Sequence, residues 1–296
     1  MSAQSKKNYI GLLYISPWLV GLLVFQLYPI LSSLYYSFTN FDMVGVPKFI
    51  GVENYRSMFV DDYDFLPSLS LTFVYVLMAV PLKLGVALVV ALMLNAKTRG
   101  INLFRTVYYL PSILGGSVTV AILWRFLFMQ EGTVNGFLGF FGLPPVPWLS
   151  SPLVALFTVS LLTVWQFGSS MVLFLAGLQQ IPQELYEAGR VDGASRPRMF
   201  FRITLPMLSP ILFFNLVMQM VNSFQEFTGA FVITGGGPMK STYLYVMKLY
   251  DEAFQFFRMG YASALSWGLF VIIVFVTYLA FRSSGSWVHY GDGGKE

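Results

Sequence analysis

Asn215, Gln219, Asn222 and Glu226 recur at spacings of four, three and four, so they share one helical face, with Gln225 beside them. Amides donate and accept hydrogen bonds and a carboxylate accepts them, a set suited to binding the hydroxyls of a sugar. At ~1.5 Å per residue from Pro206, Asn215 lies about 14 Å and Glu226 about 30 Å along the helix, through the middle and outer half of a bilayer. We read the stripe as lining a pathway; the other use of intramembrane amides is bonding to neighbouring helices.

Further residues could meet a solute or hold the helices that do. Trp165 and Gln166 pair a ring able to stack on a sugar face with an amide, although Trp also serves as core filling. Lys83 falls mid-way along an apolar run, where an unpaired charge costs on the order of 3 kcal/mol or more. It must therefore face a counter-charge, a pathway or another subunit. Trp124 and Arg125 read as interfacial anchors. Gly260, Ala264 and Gly268 form a small-residue seam for close helix packing.

Other chemistries are excluded by what the chain lacks. It has no cysteine, hence no disulfide, thiolate or Cys-based metal site. His289 is the only histidine and sits in a polar tail, so neither a metal centre nor the base of an intramembrane serine hydrolase is at hand. The run Gly235-Gly236-Gly237-Pro238-Met239-Lys240-Ser241-Thr242 imitates a phosphate-binding loop. Met239 replaces the required glycine, Pro238 removes a backbone N–H, and no strand precedes it, so it reads as a turn.

The elements that position these residues follow from composition. With 56% hydrophobic and only 11% charged residues in 296, the chain has too little polar surface to cover a soluble globule. A span needs about 20 apolar residues. Runs at roughly 9–38, 67–94, 106–129, 152–178, 204–234 and 259–282 predict six transmembrane helices in an all-α membrane protein. The first run is too long for a signal-peptide core and lacks a cleavage site, so it is expected to be retained. Period-two alternation, the mark of a barrel, is absent from runs such as Gly85–Leu94.

Lys6, Lys7, Lys97, Arg99, Arg105, Arg190, Arg196, Arg198, Arg202, Arg282 and Lys295 fall on one side of this layout, which the positive-inside rule makes cytoplasmic with both termini. Asp42, Glu53, Asp61, Asp62, Asp64, Glu131, Asp251 and Glu252 fall on the other. The basic balance therefore reflects topology, and no nucleic-acid partner is expected. The Asp-rich external segment Phe41–Phe65 is long enough to fold against a partner or simply to connect two spans.

One charged stretch interrupts the apolar runs. After Ile181-Pro182, Gln183 to Val191 predicts a short helix with Glu184 and Glu187 near its start; Asp192-Gly193-Ala194 turns the chain, and Ser195 with Pro197 starts a second helix. Glu187-Ala188-Gly189, Gly193 six residues after Glu187, then Ile203 and Leu205-Pro206, resembles the "EAA" loop of permease subunits of binding-protein-dependent ABC importers. Gly189 stands where that family more often has alanine, a change of about 1 kcal/mol in helix propensity. Leu175-Ala176-Gly177-Leu178 and Thr234-Gly235-Gly236-Gly237-Pro238 extend the likeness to the carbohydrate-uptake branch, similar to the maltose and glycerol-phosphate permeases.

The resemblance implies the type I importer permease fold and a coupling loop, at about 179–203, that docks on a cytoplasmic ATPase, with Glu187 making a polar contact and Gly193 allowing the turn. It implies a second homologous permease, two ATPase copies carrying ATP and magnesium, an external solute-binding protein, a carbohydrate substrate, and a bacterial or archaeal plasma membrane. This chain would itself hold no cofactor and hydrolyse nothing. The expected divisions are 1–66, a first helix and external loop; 67–282, the permease core; and 283–296, a tail. The alternative is a stand-alone secondary transporter or channel, for which inverted repeats and several ion-pathway carboxylates would be expected.

Overall fold

The computed structural model describes residues 3–96 and 100–289, with side chains from Leu13 onward in the first helix. Lys97, Arg99 and Lys295, counted above for orientation, lie outside the described residues, as do the side chains of Lys6 and Lys7.

In chain order the helices are α1 (Ala3–Leu22), α2 (Tyr28–Tyr36), α3 (Glu53–Val60), α4 (Phe65–Leu94), α5 (Ile101–Leu114), α6 (Val118–Leu127), α7 (Thr133–Phe140), α8 (Pro152–Trp165), α9 (Gly168–Gln180), α10 (Gln183–Val191), α11 (Arg196–Met199), α12 (Leu205–Phe224), α13 (Thr228–Thr234), α14 (Tyr245–Tyr250) and α15 (Met259–Ser284). Single π-helical turns join α1 to α2, join α11 to α12 and follow α14. Among the described residues the only extended pairing is an isolated bridge between Thr39 and Phe49.

Four continuous stretches are long and apolar enough to cross a membrane: Leu13–Tyr36, Phe65–Leu94, Arg196–Phe224 and Met259–Ser284. The expected third and fourth spans are each a pair of helices, α5 with α6 bent by 104° and α8 with α9 bent by 48°. Counting each pair once gives six spans. An apolar run cannot reveal such bends, because hydropathy is blind to backbone direction. The local causes are legible afterwards: Gly115 leaves the helix with ψ 149°, Gly116 follows at φ +77°, and Ser117 opens α6 from an extended conformation.

Two compact units divide the chain. Residues 1–65 and 249–271 form the first. In it Asn54 donates to the carbonyls of Ser37 (2.8 Å) and Thr39 (2.9 Å), and the Tyr55 hydroxyl donates to Ser37 Oγ at 2.8 Å. The Gly260 N–H donates to the Phe41 carbonyl at 2.8 Å, and a Cβ at 260 would collide with the Thr39 carbonyl. Glycine is thus required where α15 meets the chain after α2. Tyr261 donates to Asp62, and Arg258 pairs with the buried carboxylate of Glu252. The Phe41–Phe65 segment is therefore a pinned substructure containing α3.

The described residues between 66 and 248 and from 272 to 289 form the second unit. Its core joins Tyr75 and Ala79 of α4, Ala121 of α6, Leu156, Val159 and Leu162 of α8, Ala230 and Ile233 of α13, and Leu244 and Met247. These residues are separated by up to 172 positions yet bury one apolar cluster, which fixes the broken helices around it.

Candidate translocation cavity and coupling hairpin

Three helix interruptions converge in the second unit. Gly116 and Ser117 come from the α5–α6 bend, Thr163 and Gln166 from the α8–α9 bend, and Gln225, Glu226, Phe227, Thr228 and Gly229 from the break between α12 and α13; with Ala121 and Leu162 they line a cavity of about 120 Å³. Non-helical backbone inside a membrane protein is tolerated where it lines a cavity or is buried in protein, because its freed N–H and C=O groups need partners.

The breaks lock onto one another. Ser112 Oγ donates to the Gln166 carbonyl at 3.0 Å and accepts from the Ser169 N–H at 2.9 Å. A Cβ at Gly168 would sit 2.6 Å from the Tyr108 carbonyl oxygen, so only glycine lets α5 approach the bend this closely. At the third break the Glu226 carboxylate accepts the Gly229 N–H at 2.7 Å, satisfying a donor in the first turn of α13. The hydroxyls of Tyr75 and Thr163 are 2.7 Å apart, tying α4 to the cavity wall. Lys83, also on α4, is buried and feels the opposite charge of Glu226 without the two forming an ion pair. The cavity thus presents a carboxylate, two amides and three hydroxyls from Ser117, Thr163 and Thr228, able to bind a polyhydroxylated solute in several hydrogen bonds.

The structure separates the residues that the helical stripe grouped together. Gln225 and Glu226 line the cavity, as does Gln166. Asn215 and Gln219 are buried in protein away from that lining, and Asn222 is exposed. The reason is geometric: α12 ends at Phe224, so the last two members leave the helix instead of continuing its face. Trp165 lies in the core layer, its ring 5.9 Å from that of Trp124. Trp124 itself, expected at an interface, donates its indole N–H to the Thr158 carbonyl at 3.1 Å and packs in that core. Arg125 is exposed. Ser117, Thr163, Thr228, Gly116 and Gly229 were missed; the adjacent pair Gly115-Gly116 was the available sign that the helix breaks.

The charged hairpin forms as its residues dictate. At the end of α10 the Gly193 N–H donates to the Arg190 carbonyl (3.0 Å) and the Ala194 N–H to that of Gly189 (2.8 Å), with Gly193 at φ +71°. This is a Schellman ending, whose left-handed residue glycine occupies without strain. Ser195 precedes α11 in an extended conformation without a side-chain capping bond, Pro197 lies in the first turn, and the chain runs on to Leu205 and Pro206 at the start of α12. The hydroxyls of Tyr186 and Thr204, 2.9 Å apart, fasten α10 to the base of α12. Gly189 lies against Ile203 and Met199, and a Cβ there would be 3.3 Å from Ile203 Cδ1. Glu184, Glu187, Ala188, Asp192 and Gly193 remain exposed, with Val191 89% accessible on the same short helix.

Gly235–Thr242 is a turn following a helix, as expected. Within the turn Thr242 Oγ1 donates to the Gly237 carbonyl at 2.9 Å and is 2.6 Å from Thr234 Oγ1. The backbone N–H of His289 donates to Ser209 Oγ at 2.8 Å, and among the described residues no cluster of three metal-binding side chains occurs.

Residues 63–288 match the family described as binding-protein-dependent transport system inner membrane component. The chain belongs to that family. This permease is 49% identical over 288 residues to the probable ABC transporter permease protein YesP of Bacillus subtilis (strain 168), covering 96% of this chain and 93% of that one. It is 30% identical to the arabinooligosaccharides transport system permease protein AraP of the same organism, with 93% and 88% covered. Its fold is shared with a chain of the bacterial alginate ABC transporter solved in complex with an alginate pentasaccharide-bound periplasmic protein, at a TM-score of 0.80 and 21% identity over 94% of this permease and 95% of that chain. The permease is thus a multi-pass, all-helical subunit of an ABC importer.

Proposed function

We propose that this permease forms half of the translocation pathway for a carbohydrate, alongside a second homologous permease. An external binding protein delivers the solute, and two cytoplasmic ATPase copies, which hold the ATP and magnesium, drive transport. The hairpin of α10 and α11 carries this reading: a rigid, glycine-capped helix whose carboxylates and Val191 are exposed while its base is fastened to α12. A self-sufficient transporter or channel has no use for such an element. Its placement in the cytoplasm follows the clustered arginines Arg190, Arg196, Arg198 and Arg202, and the membrane is that of a bacterium or archaeon. The chain itself hydrolyses no ATP.

The carbohydrate assignment draws support from the carboxylate, amide and hydroxyl lining, and from a relative named for arabino-oligosaccharides. At about 120 Å³ the cavity is well below the roughly 300–1,000 Å³ of small-molecule sites. That size fits a half-site completed by the second permease. Gln166, Gln225 and Glu226 meet the solute, while Lys83 positions Glu226. Asn215, Gln219 and Trp165 set the packing behind them.

Co-purification in nanodiscs tests the proposal. Wild type should bring down an ATPase stimulated by its binding protein, and Glu187→Arg with Gly193→Pro should lose it. Wild type that purifies alone and moves solute into liposomes without ATP would sink the reading.

A further inference from the structure

Two polar side chains inside the second unit have no hydrogen-bond partner although both are fully buried: Ser170 Oγ on α9, and both amide atoms of Asn215 on α12. Leaving a buried donor or acceptor unsatisfied costs about 1–3 kcal/mol, and water is scarce inside a membrane bundle to relieve it. Such orphans call for an explanation.

Their positions are related. α9 and α12 pack together as consecutive antiparallel spans, and at Gly177 their approach is so close that a Cβ would collide with Ile211 Cδ1 and fall 2.8 Å from Leu208 Cδ2. Ser170 lies seven residues before Gly177, and Asn215 seven residues after Leu208. Seven residues are two turns, about 10 Å, along the same face. Because Gly177 seats between Leu208 and Ile211, moving two turns along both antiparallel helices brings Ser170 level with residues 215–218, of which Asn215 is the first. By this register the orphaned hydroxyl and the orphaned amide come within about one helical turn of each other along the α9–α12 interface, and they do not bond.

This interface has a particular place in the chain. α9 leads into the coupling hairpin and α12 leads out of it, so a force on α10 reaches both helices. Gly177, with no side chain of its own, presents little to obstruct a small shift of Leu208 and Ile211 across it. Resting on the coupling role proposed above, we infer that Ser170 and Asn215 form a latch between α9 and α12, open in the state seen here and closed by a direct hydrogen bond in the opposite state of the transport cycle. Closure satisfies atoms that are unsatisfied here, and so lowers the energy of the other state relative to this one.

The test uses the assembled complex, once without nucleotide and once held with ATP and orthovanadate. Ser170→Ala, Asn215→Leu and the double variant form a double-mutant cycle. The Tm shifts of the singles should sum to that of the double in one state and miss it by about 2–4 °C in the other. Additivity in both states, or equal non-additivity in both, overturns the latch. Because the chain has no cysteine, Ser170→Cys with Asn215→Cys gives a second reading: disulfide formation should differ at least tenfold in rate between the states, and equal rates count against the latch. Failure of wild type to co-purify with an ATPase would instead strike the coupling role itself.

Discussion

The hydroxyls of Tyr75 and Thr163 lie 2.7 Å apart and join α4 to α8 across 88 residues of sequence. Tyr75 is wholly buried in the core cluster, whereas Thr163 faces the cavity. One hydrogen bond thus links the packing of the second unit to the wall of its pathway.

Tyr75→Phe keeps the ring and removes the bond, at an expected cost of about 1 kcal/mol, since Thr163 can turn to the cavity for another partner. Tyr75→Ala also leaves a void and should cost about 3–5 kcal/mol. Unfolding in detergent separates the two; equal losses would mean the ring contributes little.

Lys83 and Glu226 should behave as a pair. Lys83→Met leaves the half-buried Glu226, and Glu226→Gln the buried Lys83, without its opposite charge, at a cost below the roughly 3–5 kcal/mol of breaking a fully buried, bonded pair. The combined variant should recover much of the folded yield and, lacking the carboxylate, still transport poorly. Size-exclusion profiles and uptake assays report both; a double variant less stable than either single would refute the pairing.

At Gly168 the obstacle to a side chain is backbone. A methyl there meets the Tyr108 carbonyl, which cannot rotate aside, so Gly168→Ala should destabilise by about 1–3 kcal/mol and spread α5 from the bend. A Tm equal to wild type would contradict the close approach.

The two hairpin glycines should respond with opposite sign. Gly193→Ala places a side chain in the left-handed region, at about 1–2 kcal/mol, and weakens the Schellman ending. Gly189→Ala gains about 1 kcal/mol of helix propensity, and the Ile203 tip 3.3 Å away can swing aside. Hydrogen exchange along α10 should show faster opening in the first variant and slower in the second, with ATPase stimulation falling only in the first.

Residue order alone determined the class, six apolar runs, the hairpin and its turn. Each depends on local quantities: a span on the length of an apolar run, a Schellman ending on one glycine at a helix terminus. The cavity was only half legible. Gln166, Gln225 and Glu226 were found because polar groups in apolar runs stand out in any window. Ser117, Thr163 and Thr228 do not stand out, since a hydroxyl is cheap to place in a helix and commonly bonds to its own backbone, as Thr158 does to the Val154 carbonyl. The stripe that placed Asn215 beside Glu226 assumed an unbroken helix, and the chain leaves the helix at Gln225. Tertiary structure decided which breaks face one another, which charges meet and which amides are sealed between helices. Those outcomes rest on contacts between residues from about fifty to well over a hundred positions apart, and no periodicity within a single run encodes them.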